Sequence, residues 1–153
     1  MQLEIIKANQ NDLETILQLQ KDCYMMEAQI YNDYNIQPLN QDLTSIENEF
    51  KNTTILKATV NKEIIGSVRG FYENSTCYIG KLIVKKDYQN KGIGRLLMDS
   101  IELIFKDCNR FELFTGFKSE KNLHLYNKLG YKEFKQQKLN DNLVLVYLEK
   151  KKK

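Results

Sequence analysis

The chain has 153 residues and a formal net charge of +3, enough for one domain with a sizeable core and too mild a positive balance to argue for nucleic acid as the main partner. Cys23, Cys77 and Cys108 are scattered and odd in number, and the opening MQLEIIKANQ has neither a basic n-region nor an apolar run of signal length, which points to reduced thiols in a cytoplasmic protein. No stretch approaches a membrane span and no His/Cys/Asp cluster has metal-ligand spacing, so neither a membrane nor a metal is expected.

Leu3, Ile5 and Ile6 predict a first strand over about residues 2–7. Asn11 stands three residues before Glu14, a variant of the capping box. Leu13, Ile16, Leu17 and Tyr24 then recur at helical spacing, so a helix is expected over about 11–26. The next stretch, from Glu27 to Leu39, is the least regular and holds the one proline, Pro38. Tyr24 and Tyr31 are seven apart, so they also read as one packing stripe of a longer helix. Asn40 or Asp42 can cap a second helix with Leu43, Ile46 and Phe50 on one face.

Thr54–Val60 and Glu63–Tyr72 read as a hairpin around Asn61-Lys62, with Gly66 and Gly70 marking a twist or the close approach of another backbone. Asn74-Ser75 turns the chain into a third antiparallel strand, Thr76–Val84. A glycine-rich turn follows, Gln89-Asn90-Lys91-Gly92-Ile93-Gly94, with Arg95 directly after it. It opens into a helix with Ile93, Leu96, Leu97, Ile101, Ile104 and Phe105 on one apolar face. Glycines let a ligand approach the backbone closely, and the start of a helix presents unpaired N–H groups and the positive end of its dipole. Lys85, Lys86, Lys91 and Arg95 add positive charge nearby, so the turn reads as a site for phosphate or pyrophosphate. A P-loop needs Lys and then Ser/Thr after its second glycine, and Arg95-Leu96 stand there instead. A dinucleotide fingerprint needs a third glycine where Leu97 stands.

Phe111–Thr115 is a further core strand, and strand-helix-strand implies a parallel pair with a right-handed crossover. Ser119 is placed to cap the next helix and Gly130 to stop it. Tyr131–Gln137 and Leu143–Glu149 read as a last hairpin around Leu139-Asn140-Asp141-Asn142, and the closing lysines as a solvated tail.

Gln-x-x-Gly-x-Gly after a strand ending Leu82-Ile83-Val84 resembles the acetyl-CoA loop of the GCN5-related N-acetyltransferase (GNAT) superfamily. One strand and one helix later, Asn122-x-x-x-Tyr126-x-x-x-Gly130-Tyr131 resembles the second half of the same signature. The resemblance implies a single α/β (α+β) domain over residues 1–149 with a basic tail at 150–153. Its sheet would be mixed and mostly antiparallel, of about seven strands, with a splayed parallel central pair and about four helices. Gly80 would take part in the distortion that starts the splay. The expected activity is acetyl-CoA-dependent N-acetyl transfer by direct attack of an amine in a ternary complex.

The resemblance also implies roles. Leu82, Ile83 and Val84 would pair with the pantetheine arm, with the Val84 N–H polarising the thioester carbonyl. Gln89, Asn90, Lys91, Gly92, Ile93, Gly94 and Arg95 would cradle the pyrophosphate. Asn122 would hydrogen-bond the arm, and Tyr126 would be the general acid, since a phenol is protonated at neutral pH. His124, the single histidine, faces away from both. Family members often carry a carboxylate base on the strand before the loop, but Tyr78-Ile79-Gly80-Lys81 offers none. Glu27 is the first choice for the base, ahead of Asp33, Glu73 and a water chain that passes the proton to solvent. Glu27, Tyr31, Asp33 and Tyr34 lie where the family commonly forms its acceptor pocket. Asp22, Glu27, Asp33, Asp42, Glu47 and Glu49 lean toward a small cationic amine, such as a polyamine or aminoglycoside. A non-catalytic acyl-CoA sensor and an acetyltransferase of protein or peptide amines stay open, and a homodimer is compatible with so small a domain.

Overall fold

A computed structural model describes residues 2–152. The chain enters through β1 (Leu3–Lys7), which pairs antiparallel with β2 (Thr54–Val60), and β2 with β3 (Glu63–Glu73). β3 pairs antiparallel with β4 (Thr76–Val84), and β4 runs parallel to β5 (Arg110–Gly116). β6 (Lys132–Lys138) and β7 (Val144–Lys151) close the sheet, giving the order β1-β2-β3-β4-β5-β7-β6. Among the described residues only the β4–β5 pair is parallel, joined by the crossover through α4.

Period-2 alternation divides the strands between two cores. Leu56, Ala58, Ile65 and Val68 face α4 (Ile93–Ile104), which buries Ile93, Leu97, Met98 and Ile101 against them. Ile55 faces the other way, onto Leu13, Ile16 and Leu17 of α1 (Leu13–Tyr31) and Ile46 of α3 (Leu43–Phe50). A Cβ at Gly70 would meet Ile101 at 3.0 Å, so the glycine read in β3 is where α4 presses on the sheet. α5 (Glu120–Lys128) lies on the α4 side and ends at Gly130, whose φ of 98° suits glycine.

The count of about four helices agrees with the five described, one of which is a short α2 at Gln37–Asn40 with Pro38 in its first turn. Several expectations change. The first helical segment is capped by Asn9 and Asp12, not by Asn11 and Glu14. Each side chain of that pair takes the other's end of a one-turn 3-10 segment at Gln10–Asp12. α1 continues to Tyr31 and stops at Asn32, which adopts a left-handed φ of 48°. Ser119 makes no side-chain cap bond to α5; its Oγ instead meets the Tyr31 hydroxyl and donates to Glu27. The expected tail is partly strand: Lys150 and Lys151 pair with Phe111 and Arg110, and Lys150 bonds Glu102 at 2.6 Å. Met1 and Lys153, the outer ends of the expected domain and tail, lie outside the described residues. Among the described residues no helix is long and apolar enough to cross a membrane.

The sheet opens along its parallel seam. β4 and β5 pair only from Thr76 to Tyr78 against Arg110 to Glu112, and then diverge. On the other side of β4 the register with β3 gains a residue: Ser67 pairs with Ile83, but Arg69 pairs with Gly80. Gly80 therefore keeps a partner, and the bulge centres on Lys81, which takes a left-handed φ of 49°. The residue after the glycine carries the distortion.

Candidate active site

Two cavities open where β4 and β5 part. One, of about 510 Å³, is lined by Leu82, Ile83, Val84, parts of the Gln89–Arg95 turn and the start of α5. The other, of about 560 Å³, lies between the C-terminal half of α1, the outer parts of β3, β4 and β5, and the β6–β7 turn. Tyr24, Glu27, Leu82 and Asn122 line both. Each volume is of the size that holds a small molecule.

The first cavity has the makings of an anion site. α4 starts at Gly92 with a φ of 80°, no side chain caps it, and no acid stands in its first turn. Asn9 and Asp42 cap the helical starts before α1 and at α3, whereas the first N–H groups of α4, like those of α2 and α5, receive no side-chain cap. A Cβ on Gly94 would meet nothing closer than Leu125 at 3.5 Å, so that glycine keeps space open rather than easing the backbone. Gln89 folds back to donate to the Val84 carbonyl at 2.9 Å and thereby shapes the turn. Lys91 lies over the Tyr88 ring at 5.9 Å, and Lys85 is drawn to Glu63 at 2.6 Å, outside the site. Asn90, Lys91 and Arg95 are exposed, whereas Ile93 is buried in the core, and neither Lys91 nor Ile93 lines the cavity.

The backbone of β4 supplies a second polar feature. The Lys85 N–H donates to Ile65 of β3, so alternation along the strand turns the Val84 groups away from β3 and toward the opened seam. The Val84 carbonyl accordingly takes Gln89 and the Cys23 thiol, the latter at 3.5 Å. Burial pushes that thiol up to about 11, so Cys23 packs as a protonated group.

Glu27 is held by a chain of hydroxyls. The Lys118 N–H donates to the Tyr31 hydroxyl at 2.9 Å, and that hydroxyl lies 2.9 Å from the Ser119 Oγ. The Ser119 hydroxyl donates to Glu27 Oε2 at 2.9 Å, so each donor in turn finds an acceptor and the run ends on the carboxylate. Burial raises the Tyr31 phenol, which keeps its proton within this chain. Tyr31 thus belongs both to the packing stripe of α1 and to the cavity wall.

Tyr126 is 5 % exposed and lines the second cavity. Tyr24 lines both cavities and was read from the sequence as packing alone. Burial is the main cause that holds both phenols above their usual range, with Glu27 adding to it. Asn122 donates weakly to Thr115 at 3.4 Å, and His124 is exposed on the far side of α5.

Other sequence-picked acids have different work. Asp33 accepts from Asn140 at 2.7 Å and from the Asn35 N–H, tying the end of α1 to the β6–β7 turn. Asp42 caps α3, and Asp22 accepts from Gln18. Glu49 pairs with Arg69 at 2.9 Å and stands near Lys81. The lean toward a multiply cationic acceptor therefore loses three of its six carboxylates to structural bonds and a fourth to neutralisation. Tyr34 is about half exposed and absent from both cavity walls, while its carbonyl accepts from Asn40. The sequence reading missed Arg69 and Lys81. A signal was present at Arg69, a lone charge in the apolar run of β3, since a buried charge must find partners.

Comparison with known proteins gives one description. The model of the acetyltransferase (GNAT) domain family matches residues 27–152. An acetyltransferase of Pectobacterium atrosepticum is 29% identical over 136 residues, covering 84% of this chain and 87% of that protein. A GNAT-family acetyltransferase of Staphylococcus aureus superposes with a TM-score of 0.78 at 23% identity, over 98% of this chain and 99% of that one. A Salmonella typhimurium protein solved with its cofactor acetyl-CoA superposes with a TM-score of 0.76 at 17% identity, over 99% and 94% of the two chains.

Proposed function

The chain belongs to the GNAT acetyltransferases, and on that footing we propose that it is an acetyl-CoA-dependent N-acetyltransferase that acts by direct transfer to the primary amine of a small acceptor. The observation that carries this reading is the meeting of two cavities at Tyr24, Glu27, Leu82 and Asn122. One cavity has a bare helix N-terminus for a pyrophosphate, and the other has the size for a small molecule.

When bound, acetyl-CoA supplies an acetyl group activated as a thioester. The Gly92–Arg95 N–H groups hold the pyrophosphate, and Asn90, Lys91 and Arg95 border it. Leu82, Ile83 and Val84 present the open edge of β4 to the pantetheine arm. The Val84 N–H, turned toward the seam, is placed to receive negative charge as it builds on the carbonyl oxygen. Glu27 accepts the proton that the acceptor ammonium must lose to attack, and Ser119 and Tyr31 fix the direction of its carboxylate. Tyr126 donates its proton to the departing sulfur, and Asn122 orients the arm beside it. Tyr24 is the phenol of the wall that both cavities share, whereas Tyr126 lines the second cavity.

A direct test follows thiol release from acetyl-CoA with amino acids, polyamines, aminoglycosides and short peptides, and weighs the products for an added acetyl group. Release with one small-amine class, and a product acetylated on nitrogen, is expected. Binding of CoA without release across the panel would overturn the reading in favour of a non-catalytic acyl-CoA binder.

A further inference from the structure

The acceptor cavity contains two cations that the transfer chemistry leaves unused. Arg69 on β3 is 3 % exposed, and Lys81 sits on the β4 bulge with its side chain 17 % exposed. A single carboxylate, Glu49, serves them both. Its Oε1 is already taken by Arg69 Nη1 and Gln41 Nε2, each at 2.9 Å. Lys81 Nζ stands 3.8 Å from the other oxygen, beyond hydrogen-bond length. Arg69 is further engaged with Gln41 at 3.2 Å and with Gln20, yet its Nε finds no partner among the described residues.

The two cations, largely withdrawn from water, share one acid as their ion partner, and Lys81 is left with only a loose pairing. Burial is the main cause that draws the Lys81 ammonium below its usual range, with Glu49 opposing it. The other carboxylates on the cavity wall, Glu27 and Asp33, form no ion pair with either cation among the described residues; Glu27 receives Ser119, and Asp33 receives Asn140 and the Asn35 N–H. The wall is therefore bipolar. Glu27 stands at the junction with the other cavity, whereas Lys81 and Arg69 line the acceptor cavity alone.

We propose that the acceptor carries a carboxylate as well as its amine, as a free amino acid does, with the amine at Glu27 and the carboxylate on Lys81. This rests on the acetyl-transfer reading of the same site. Lys81 has three donors and a flexible stem, so it can swing from its loose pairing with Glu49 onto an incoming acid. Arg69 stays on Gln20, Gln41 and Glu49 and acts through its charge. A cavity of about 560 Å³ admits an amino acid with its side chain. A polyamine or aminoglycoside would instead bring further cations toward Lys81 and Arg69.

Matched pairs test the proposal: leucine against isoamylamine, phenylalanine against phenethylamine, and lysine against cadaverine. Each is titrated calorimetrically into CoA-saturated wild type and Lys81→Met, and then assayed for thiol release from acetyl-CoA. At least one amino acid is expected to bind wild type roughly 10- to 100-fold more tightly than its decarboxylated partner, the range of a charged hydrogen bond. Lys81→Met should erase that preference and leave the weak binding of the plain amines in place. Equal binding within every pair, including none at all, would overturn the proposal, as would a preference that survives Lys81→Met. Preferential, Lys81-dependent binding without thiol release would uphold the carboxylate site and remove the acetyl-transfer reading instead.

Discussion

Glu27 acquires its place in the site from a residue 92 positions away, which is why the sequence marks it only as one acid in an irregular stretch. Tyr126 and Asn122 were more legible, because their spacing of four on α5 belongs to a local motif. Ser119 stands at the start of α5, but its Oγ donates to Glu27 and accepts from the Tyr31 hydroxyl rather than from an N–H of the helix. The roles separate by mutation. Glu27→Gln should lower kcat/KM by roughly 10²-fold, with the loss easing as pH rises and more of the amine becomes neutral. Ser119→Ala keeps the carboxylate and loses only its support, so a loss of about tenfold or less is expected. Equal losses would show that Ser119 acts by more than positioning. Tyr126→Phe should lower kcat by roughly 10²-fold with little change in acetyl-CoA affinity. The same loss in Tyr24→Phe, with Tyr126→Phe unaffected, would transfer the acid role to the other buried phenol.

At the scale of the element, the turn before α4 and the α1–β5 contact each rest on a glycine, for different reasons. Gly92 has a left-handed φ of 80°, so Gly92→Ala should cost about 1–2 kcal/mol of stability. Gly94 has ordinary backbone and free space beside it, so Gly94→Ala should fold normally and weaken CoA binding by occupying the cavity. Thermal unfolding and CoA titration of the two variants separate these effects, and a stability loss in Gly94→Ala would contradict the assignment. A Cβ at Gly116 would lie 2.9 Å from Cε2 of Tyr31 and closer still to its hydroxyl. Gly116→Ala should therefore displace Tyr31, lower stability by about 1–3 kcal/mol and lower kcat through Glu27. Gly80→Ala meets nothing within 4 Å and serves as the stability control. The bulge at Lys81 was harder to read than the splay, because a left-handed lysine has no signature in sequence. The Gly80 next to it drew attention to the right region and the wrong residue.

At the scale of the whole molecule, the β2-β3-β4 meander, the β4–β5 parallel pair and the β6–β7 hairpin were legible from their connections, whereas the pairing of β1 with β2 and of β5 with β7 was not, because helices lie between those strands. What stayed hidden were long-range polar bonds, such as Arg69 with Gln20, Gln41 and Glu49, since no local pattern encodes them. Buried acidic groups also set the pH range of stability. Unfolded thiols ionise near 9, whereas burial holds the proton on Cys23 to about 11 and on Cys77 to about 12. Between those values the unfolded chain binds fewer protons, so stability is full below about pH 8.5 and falls as pH rises toward 11–12. Melting temperatures from pH 7 to 11 should show that decline, and Cys77→Ala should make it shallower. The central claim is that two cavities meeting at Glu27 hold both substrates for direct transfer. Initial rates with acetyl-CoA and acceptor varied together test it most directly. Intersecting double-reciprocal lines, with no acetylated protein formed in the absence of acceptor, are predicted. Parallel lines together with an acetyl group carried covalently on the chain would contradict it.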